Sequence, residues 1–189
     1  MKLTLDALLR IMPNAGRERA SGFLAPLNDA MLEFSIDTPT RQAAFLAQLA
    51  HESGSLRYVR ELASGNAYNL RSDLGNTRPE ALEAASRAGT TTGAYYRGRG
   101  LIQITGYDNY AECSRALFGD TETLTHNPAI LEGRELACRS AAWFWRSRGL
   151  NDLADAGDFI RITRRINGGL NGISDRLTHY DLARSELKC

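Results

Sequence analysis

Lysine is almost missing from this chain of 189 residues. Of its 23 basic side chains all but Lys2 and Lys188 are arginine, and 22 acids bring the net charge to +1. A near-neutral total offers no overall attraction to a nucleic-acid backbone, so no nucleic acid is expected as a partner. Cysteine is scarce as well. Cys113, Cys138 and Cys189 are odd in number and far apart, with no CxxC pair, so neither a disulfide framework nor a zinc cluster is indicated. Cys113 and Cys138 lie in helical patterns and read as core filler. No apolar run approaches the roughly 20 residues that span a bilayer. The opening stretch, Met1 to Arg10, is amphipathic with Asp6 inside it and does not read as a signal peptide. A protein held in the cytoplasm until another system exports it is therefore expected. The only histidines are His51, His126 and His179. A zinc-protease helix would need a second histidine four residues after His51, where Ser55 stands, so a metal hydrolase is not indicated. A G-x-S-x-G nucleophile elbow and a phosphate-binding glycine loop are missing too.

What remains is an ordinary globular composition, 43% hydrophobic and 24% charged, long enough for one domain with a real core. Helical periodicity dominates it. Leu5, Leu8, Leu9 and Met12 predict a helix ending before Pro13. Phe23, Leu24, Leu27, Met31 and Phe34 predict a second, broken or started near Pro26. A third runs from an N-cap at Thr38 with Pro39 in the first position, to a stop at Gly54. Residues 66–93 read mostly as loop, with a short helix over Pro79–Arg87. Leu101 to Thr105 reads as one short β segment between glycines. Further helices follow: Tyr107 to Phe118, a long one between Gly133 and Gly149 that places Trp143 and Trp145 in the core, one through Phe159 and Ile166 stopped by Asn167-Gly168-Gly169, and a last one capped by Ser174 and Asp175. The expected architecture is mainly α, a single domain (residues 1–189) of two lobes around a cleft with one small β element.

Two glutamates carry the chemistry. Phe45, Leu49 and Glu52 fall at i, i+4 and i+7, so Glu52 shares the apolar face of its helix and sits in its last turn. Burial and the negative end of the helix dipole both disfavour a charged carboxylate there, which suits a general acid. Glu61, nine residues on, has Arg57 and Arg60 close in sequence and is expected to stay ionised. Hydrolysing a glycosidic bond without a cofactor needs two carboxyl groups in these two states. An unbroken helix would set residues nine apart on opposite faces, so the chain must break at Gly54-Ser55 for both to serve one cleft. His51 reads as a hydrogen-bonded group beside the acid. Tyr95 and Tyr96 read equally as sugar-stacking rings or as packing. The late arginines, Arg134, Arg139, Arg146, Arg148, Arg161, Arg164 and Arg165, read as a solvated face.

In order along the chain stand His51-Glu52-Ser53-Gly54, then Tyr96-Arg97-Gly98-Arg99-Gly100-Leu101-Ile102-Gln103-Ile104-Thr105-Gly106-Tyr107-Asp108-Asn109-Tyr110, Asn127-Pro128, Trp143-Phe144-Trp145 and Ile166-Asn167-Gly168-Gly169. From about Thr38 to about Tyr180 this set resembles glycoside hydrolase family 19, the chitinase-like enzymes of lysozyme-like fold. Within it the chain is most similar to small phage-type endolysins. The resemblance implies an inverting glycosidase with Glu52 as general acid and Glu61 as general base, their carboxyl groups roughly 6.5–9.5 Å apart. It implies that Thr105 helps hold the attacking water, that Gln103, Asn109 and Asn167 line the sugar cleft, that Arg176 stands near the acids, and that no metal or organic cofactor is needed; Tyr96 and His51 join the expected substrate-binding residues on their own reading. The plant members space their acids more widely, and on that pattern Asp73 or Glu80 would compete for the base role. The implied substrate is the β-1,4-linked glycan of bacterial peptidoglycan, with chitin hydrolysis and lytic transglycosylation as alternatives. The implied setting is host lysis: a monomer in the host cytoplasm, released by a holin onto the periplasmic wall.

Overall fold

The structure, a computed structural model, describes residues 2–189. Its helices are α1 (Leu5–Ile11), α2 (Arg17–Glu33), α3 (Pro39–Glu52), α4 (Pro79–Arg87), α5 (Thr92–Tyr95) and α6 (Tyr107–Phe118). They continue with α7 (Glu122–His126), α8 (Arg134–Ser147), α9 (Leu150–Asp155), α10 (Phe159–Asn167) and α11 (Ile173–Leu187). The chain forms two compact units, Met1–Tyr58 with Ala142–Cys189, and Val59–Ala141.

In the first unit α3 packs against α11, α9 and α1, and α1 packs against α2 and α11. Thr38 caps α3 by accepting the Arg41 amide at 3.3 Å, with Pro39 opening the helix as its locked φ allows. Residues Gln42 through Ala50 of α3 are all buried, far more than a one-sided stripe. The core is closed by Trp145, whose ring meets Phe45 edge-on at 5.3 Å and whose Nε1–H donates to buried Asn151 at 2.9 Å. Asn151 in turn donates to the carbonyls of Phe34 and Ser35, ending α2 against α9. Trp145→Ala removes both the ring and the donor. It is expected to cost about 3–5 kcal/mol in urea unfolding, and a loss under about 1 kcal/mol, the scale of a surface change, would show the ring is not a keystone.

In the second unit, α6 packs on α7, α7 on α4, and α4 on α5. The expected β segment is not a strand. Arg99 makes isolated bridges with Arg60 and Ile104, and residues 101–103 between them are turn. The Leu101 amide spends its hydrogen bond on Ala137 of α8, so it cannot extend a ladder. Two other expectations also give way. Pro26 lies inside α2 and does not break it, because Phe23, Leu27, Ala30 and Met31 bury one continuous face and outweigh the one hydrogen bond proline deletes. The last helix begins at Ile173 with Gly172 as its cap, so Ser174 and Asp175 lie within its first turn and Asp175 is free for other work. Cys113 and Cys138 are buried as expected, and burial pushes the Cys113 thiol up to about 12.

Candidate active site

The end of α3 is built to stop abruptly. After Glu52, the residues Gly54, Ser55 and Leu56 take φ values of 56°, 59° and 66° in succession. Ser55 and Leu56 are not glycine, and each left-handed residue costs on the order of 1 kcal/mol or more. Ser53 offsets this: its hydroxyl donates to the Leu49 carbonyl at 2.6 Å and accepts the Leu56 amide at 2.8 Å. Buried Leu56 anchors the turn from below. The break expected at Gly54-Ser55 is thus present, and Glu52 is left in the last helical turn.

Glu52 is not in an apolar setting. Its Oε1 accepts from Arg176 Nη2 at 2.5 Å, and Arg176 is a buried guanidinium while Glu52 keeps 22% of its side chain exposed. Arg176 also donates from Nε to the Asn171 carbonyl at 3.2 Å and from Nη1 to Gln48 Oε1. The neighbouring residues form a second tie of the same kind: His51 Nδ1 lies 2.7 Å from Asp175 Oδ2. Consecutive residues of α3, 51 and 52, therefore pair with consecutive residues of α11, 175 and 176. Gly172 has φ +70°, and a Cβ there would overlap the His51 imidazole, so only glycine can cap α11 against that ring. Asn167, at the end of α10, donates from Nδ2 to the Asn171 carbonyl at 3.0 Å, the same oxygen that receives Arg176. Glu52, His51, Asn167 and Arg176 are therefore gathered by one network.

Glu61 belongs to the second unit. Its Oε1 accepts from the Tyr68 hydroxyl at 3.0 Å and its Oε2 from the Gly98 amide at 3.2 Å, while its own amide donates to the Gly98 carbonyl at 2.9 Å. Burial, and then the Glu61 carboxylate, raises the Tyr68 phenol above its ordinary value, keeping it a donor. The cations expected around Glu61 are engaged elsewhere: Arg60 lies 3.6 Å from Glu132, and Arg57 lies over the Tyr58 ring. Neutral donors hold this carboxylate in place of charge. Gln103 lies against Gly98, where a Cβ would strike its amide oxygen, so Gln103 is near Glu61 through that glycine. Thr105 is half-buried two residues before α6, and Asn109 Nδ2 donates to its carbonyl at 2.7 Å. Asp73 pairs with Arg71, which holds its carboxyl below the usual range.

Tyr96 is not a cleft residue. It is fully buried, its ring set edge-on to Tyr95 and Tyr107, and its hydroxyl donates to the Thr125 carbonyl at 2.9 Å. With no exposed surface, its ring packs the core and cannot meet a sugar. The sequence reading also missed residues that hold the two acids. Gln48 and Asp175 steady the Glu52 side, and Tyr68, Gly98 and Asn76 the Glu61 side; Asn76 is buried and links the Tyr68 carbonyl to the Tyr107 amide. Only Gln48 leaves a trace in the sequence, as a polar residue amid buried alanines and leucines. Among the described residues no three His, Cys, Asp or Glu side chains converge as metal ligands.

Comparison with known proteins gives the family and the fold. The model for glycoside hydrolase family 19, chitinase class I, matches residues 32–172. A Haemophilus influenzae protein described as a glycosyl hydrolase family 19 domain-containing protein is 36% identical over 161 residues, 74% of this chain and 76% of its own. An Arabidopsis thaliana endochitinase is 34% identical over 148 residues, 73% of this chain but 45% of its own length, so the chain spans less than half of that plant relative. In fold, chitinase C from Streptomyces griseus superposes with a TM-score of 0.76 at 23% identity, covering 98% of this chain and 76% of that one. A bacterial family 19 chitinase gives 0.76 at 24% identity, over 99% of this chain and 95% of that one. On the family match and the bacterial relative together, the chain belongs to glycoside hydrolase family 19, the chitinase-like glycosidases.

Proposed function

We propose that this glycosidase is an endolysin that hydrolyses the β-1,4 bonds of peptidoglycan glycan strands with inversion. The observation that carries the reading is that each acid is held in place by fixed donors, Glu52 by the buried Arg176 guanidinium and Glu61 by the Tyr68 hydroxyl and the Gly98 amide. In this reading Glu52, held through Oε1 by Arg176, acts as general acid from Oε2 and gives a proton to the glycosidic oxygen as the C–O bond breaks. Glu61 takes a proton from the water that attacks the anomeric carbon, and the Thr105 hydroxyl orients that water. Gln103, Asn109 and Asn167 are neutral amides suited to hydroxyl and N-acetyl groups. The nine-residue spacing of the acids, as in the phage-type members, supports peptidoglycan as the substrate. In this reading the enzyme is a monomer that waits in the host cytoplasm and reaches the periplasmic wall through a holin. Among the described residues no helix is long and apolar enough to cross a membrane.

A second reading, chitin hydrolysis, is favoured by the plant endochitinase relatives. One experiment separates them. Purified peptidoglycan and an N-acetylglucosamine hexamer are each digested, the new ends reduced with borohydride, and the sugar alcohols identified by mass. A reduced N-acetylmuramic acid or N-acetylglucosamine end from peptidoglycan supports the endolysin. Turnover of the hexamer alone selects the chitinase, and a 1,6-anhydro end, which borohydride cannot reduce, would defeat hydrolysis altogether.

A further inference from the structure

Gln48 has no role in either reading, yet it is a fully buried amide in the middle of α3, with Ala44, Phe45, Ala47 and Leu49 buried around it. A buried amide is costly unless both ends are bonded, and a hydrocarbon would fill the same space more cheaply. Both ends are bonded here. Gln48 Oε1 accepts from Arg176 Nη1, and Nε2 donates to Thr163 Oγ1 at 2.8 Å. Thr163 is itself fully buried and spends its proton on the Phe159 carbonyl at 3.1 Å.

This chain of bonds has one polarity. The Thr163 hydroxyl proton is committed, so its oxygen can only accept, and the amide must present its nitrogen there and its oxygen to the guanidinium. Flipping the amide would set donor against donor at Arg176 and acceptor against acceptor at Thr163. Gln48 and Glu52 are four residues apart on one helix face, so a single guanidinium can bridge them. Arg176 does so with its planar fork: Nε on Asn171, Nη1 on Gln48, Nη2 on Glu52. Three fixed directions leave a rigid plane no freedom to swing.

We infer that Gln48, backed by Thr163, is a positioning residue that acts through Arg176 to aim the Glu52 carboxyl group. The inference rests on Glu52 as the acid. Gln48→Met keeps the unbranched shape and removes the acceptor. On whichever of peptidoglycan or N-acetylglucosamine hexamer the wild type turns over, kcat should fall about ten-fold, the loss expected for one hydrogen bond to a charged group, with KM within about two-fold. A merely structural role would lower the melting temperature alone. The decisive readout is a double-mutant cycle with Arg176→Lys: if Gln48 works through the guanidinium fork, its substitution adds little once the fork is gone. Thr163→Val reads the same coupling should Gln48→Met not fold. Losses that vanish in the Arg176→Lys background support the inference. Unchanged kcat, or losses that multiply independently, overturn it. Glu52→Gln run alongside separates the two levels: if that variant stays active the reading of Glu52 fails, whereas an inactive Glu52→Gln with a normal Gln48→Met sinks the positioning role alone.

Discussion

Glu52→Gln is expected to lower glycan turnover by about three orders of magnitude, the upper part of the range for a general acid. The substitution is close to isosteric. A glutamine in that place still offers Arg176 an acceptor, so the junction of α3 and α11 stays assembled, but the amide nitrogen replaces the oxygen that carries the proton. The stability cost is modest because the guanidinium keeps Gln48 and the Asn171 carbonyl. Losing charge assistance in one such bond is worth about 1–3 kcal/mol. Glycan binding, read by pull-down with insoluble peptidoglycan, should persist. Digestion at the wild-type rate by the folded variant would remove Glu52 from the chemistry, and loss of binding together with activity would point to a wall-binding role for this residue.

Glu61→Gln should cost about 10²-fold in kcat. Both oxygens of Glu61 accept from neutral donors, so the amide must turn an NH₂ toward either the Gly98 amide or the Tyr68 hydroxyl. Turned toward the Tyr68 hydroxyl, whose oxygen can accept, the NH₂ keeps both contacts, so the loss falls on the basicity. The comparison that gives the result meaning is Asp73→Asn with Glu80→Gln, the acids that the wider plant spacing would select. Asp73 is exposed and committed to Arg71, and Glu80 is exposed in the first turn of α4. Each should leave kcat within about two-fold of the wild type, as surface changes away from a site do. A large loss in either, with Glu61→Gln active, would transfer the base role.

Much of the local structure could be read from residue order. The bounds of α3, α4, α6 and α10 fall where Thr38-Pro39, Pro79, Gly106 and Gly168 place them, because caps and breakers act within a turn of where they stand. Trp143 and Trp145 are in the core as helical periodicity predicts. Errors arose where a distant partner overrode the local signal. Leu101 to Thr105 has the composition of a strand, yet Ala137 takes its first amide. Tyr96 looks like a sugar platform until tyrosines from α6 and a carbonyl of α7 close over it. Asp175 looks like a cap and is the partner of a histidine 124 residues away.

By itself the sequence determined that the chain would be mainly helical, that α3 would end beside Glu52, and that its motifs are those of family 19, since all of this lives in patterns a few residues long. Only the tertiary structure decided what each carboxylate touches. Arg176 reaches Glu52 across 124 residues of chain and ties it to Gln48, and neutral donors replace the arginines beside Glu61. A side chain's electrostatic surroundings are set by whatever packing brings within a few ångströms, and neighbours in sequence are free to point away.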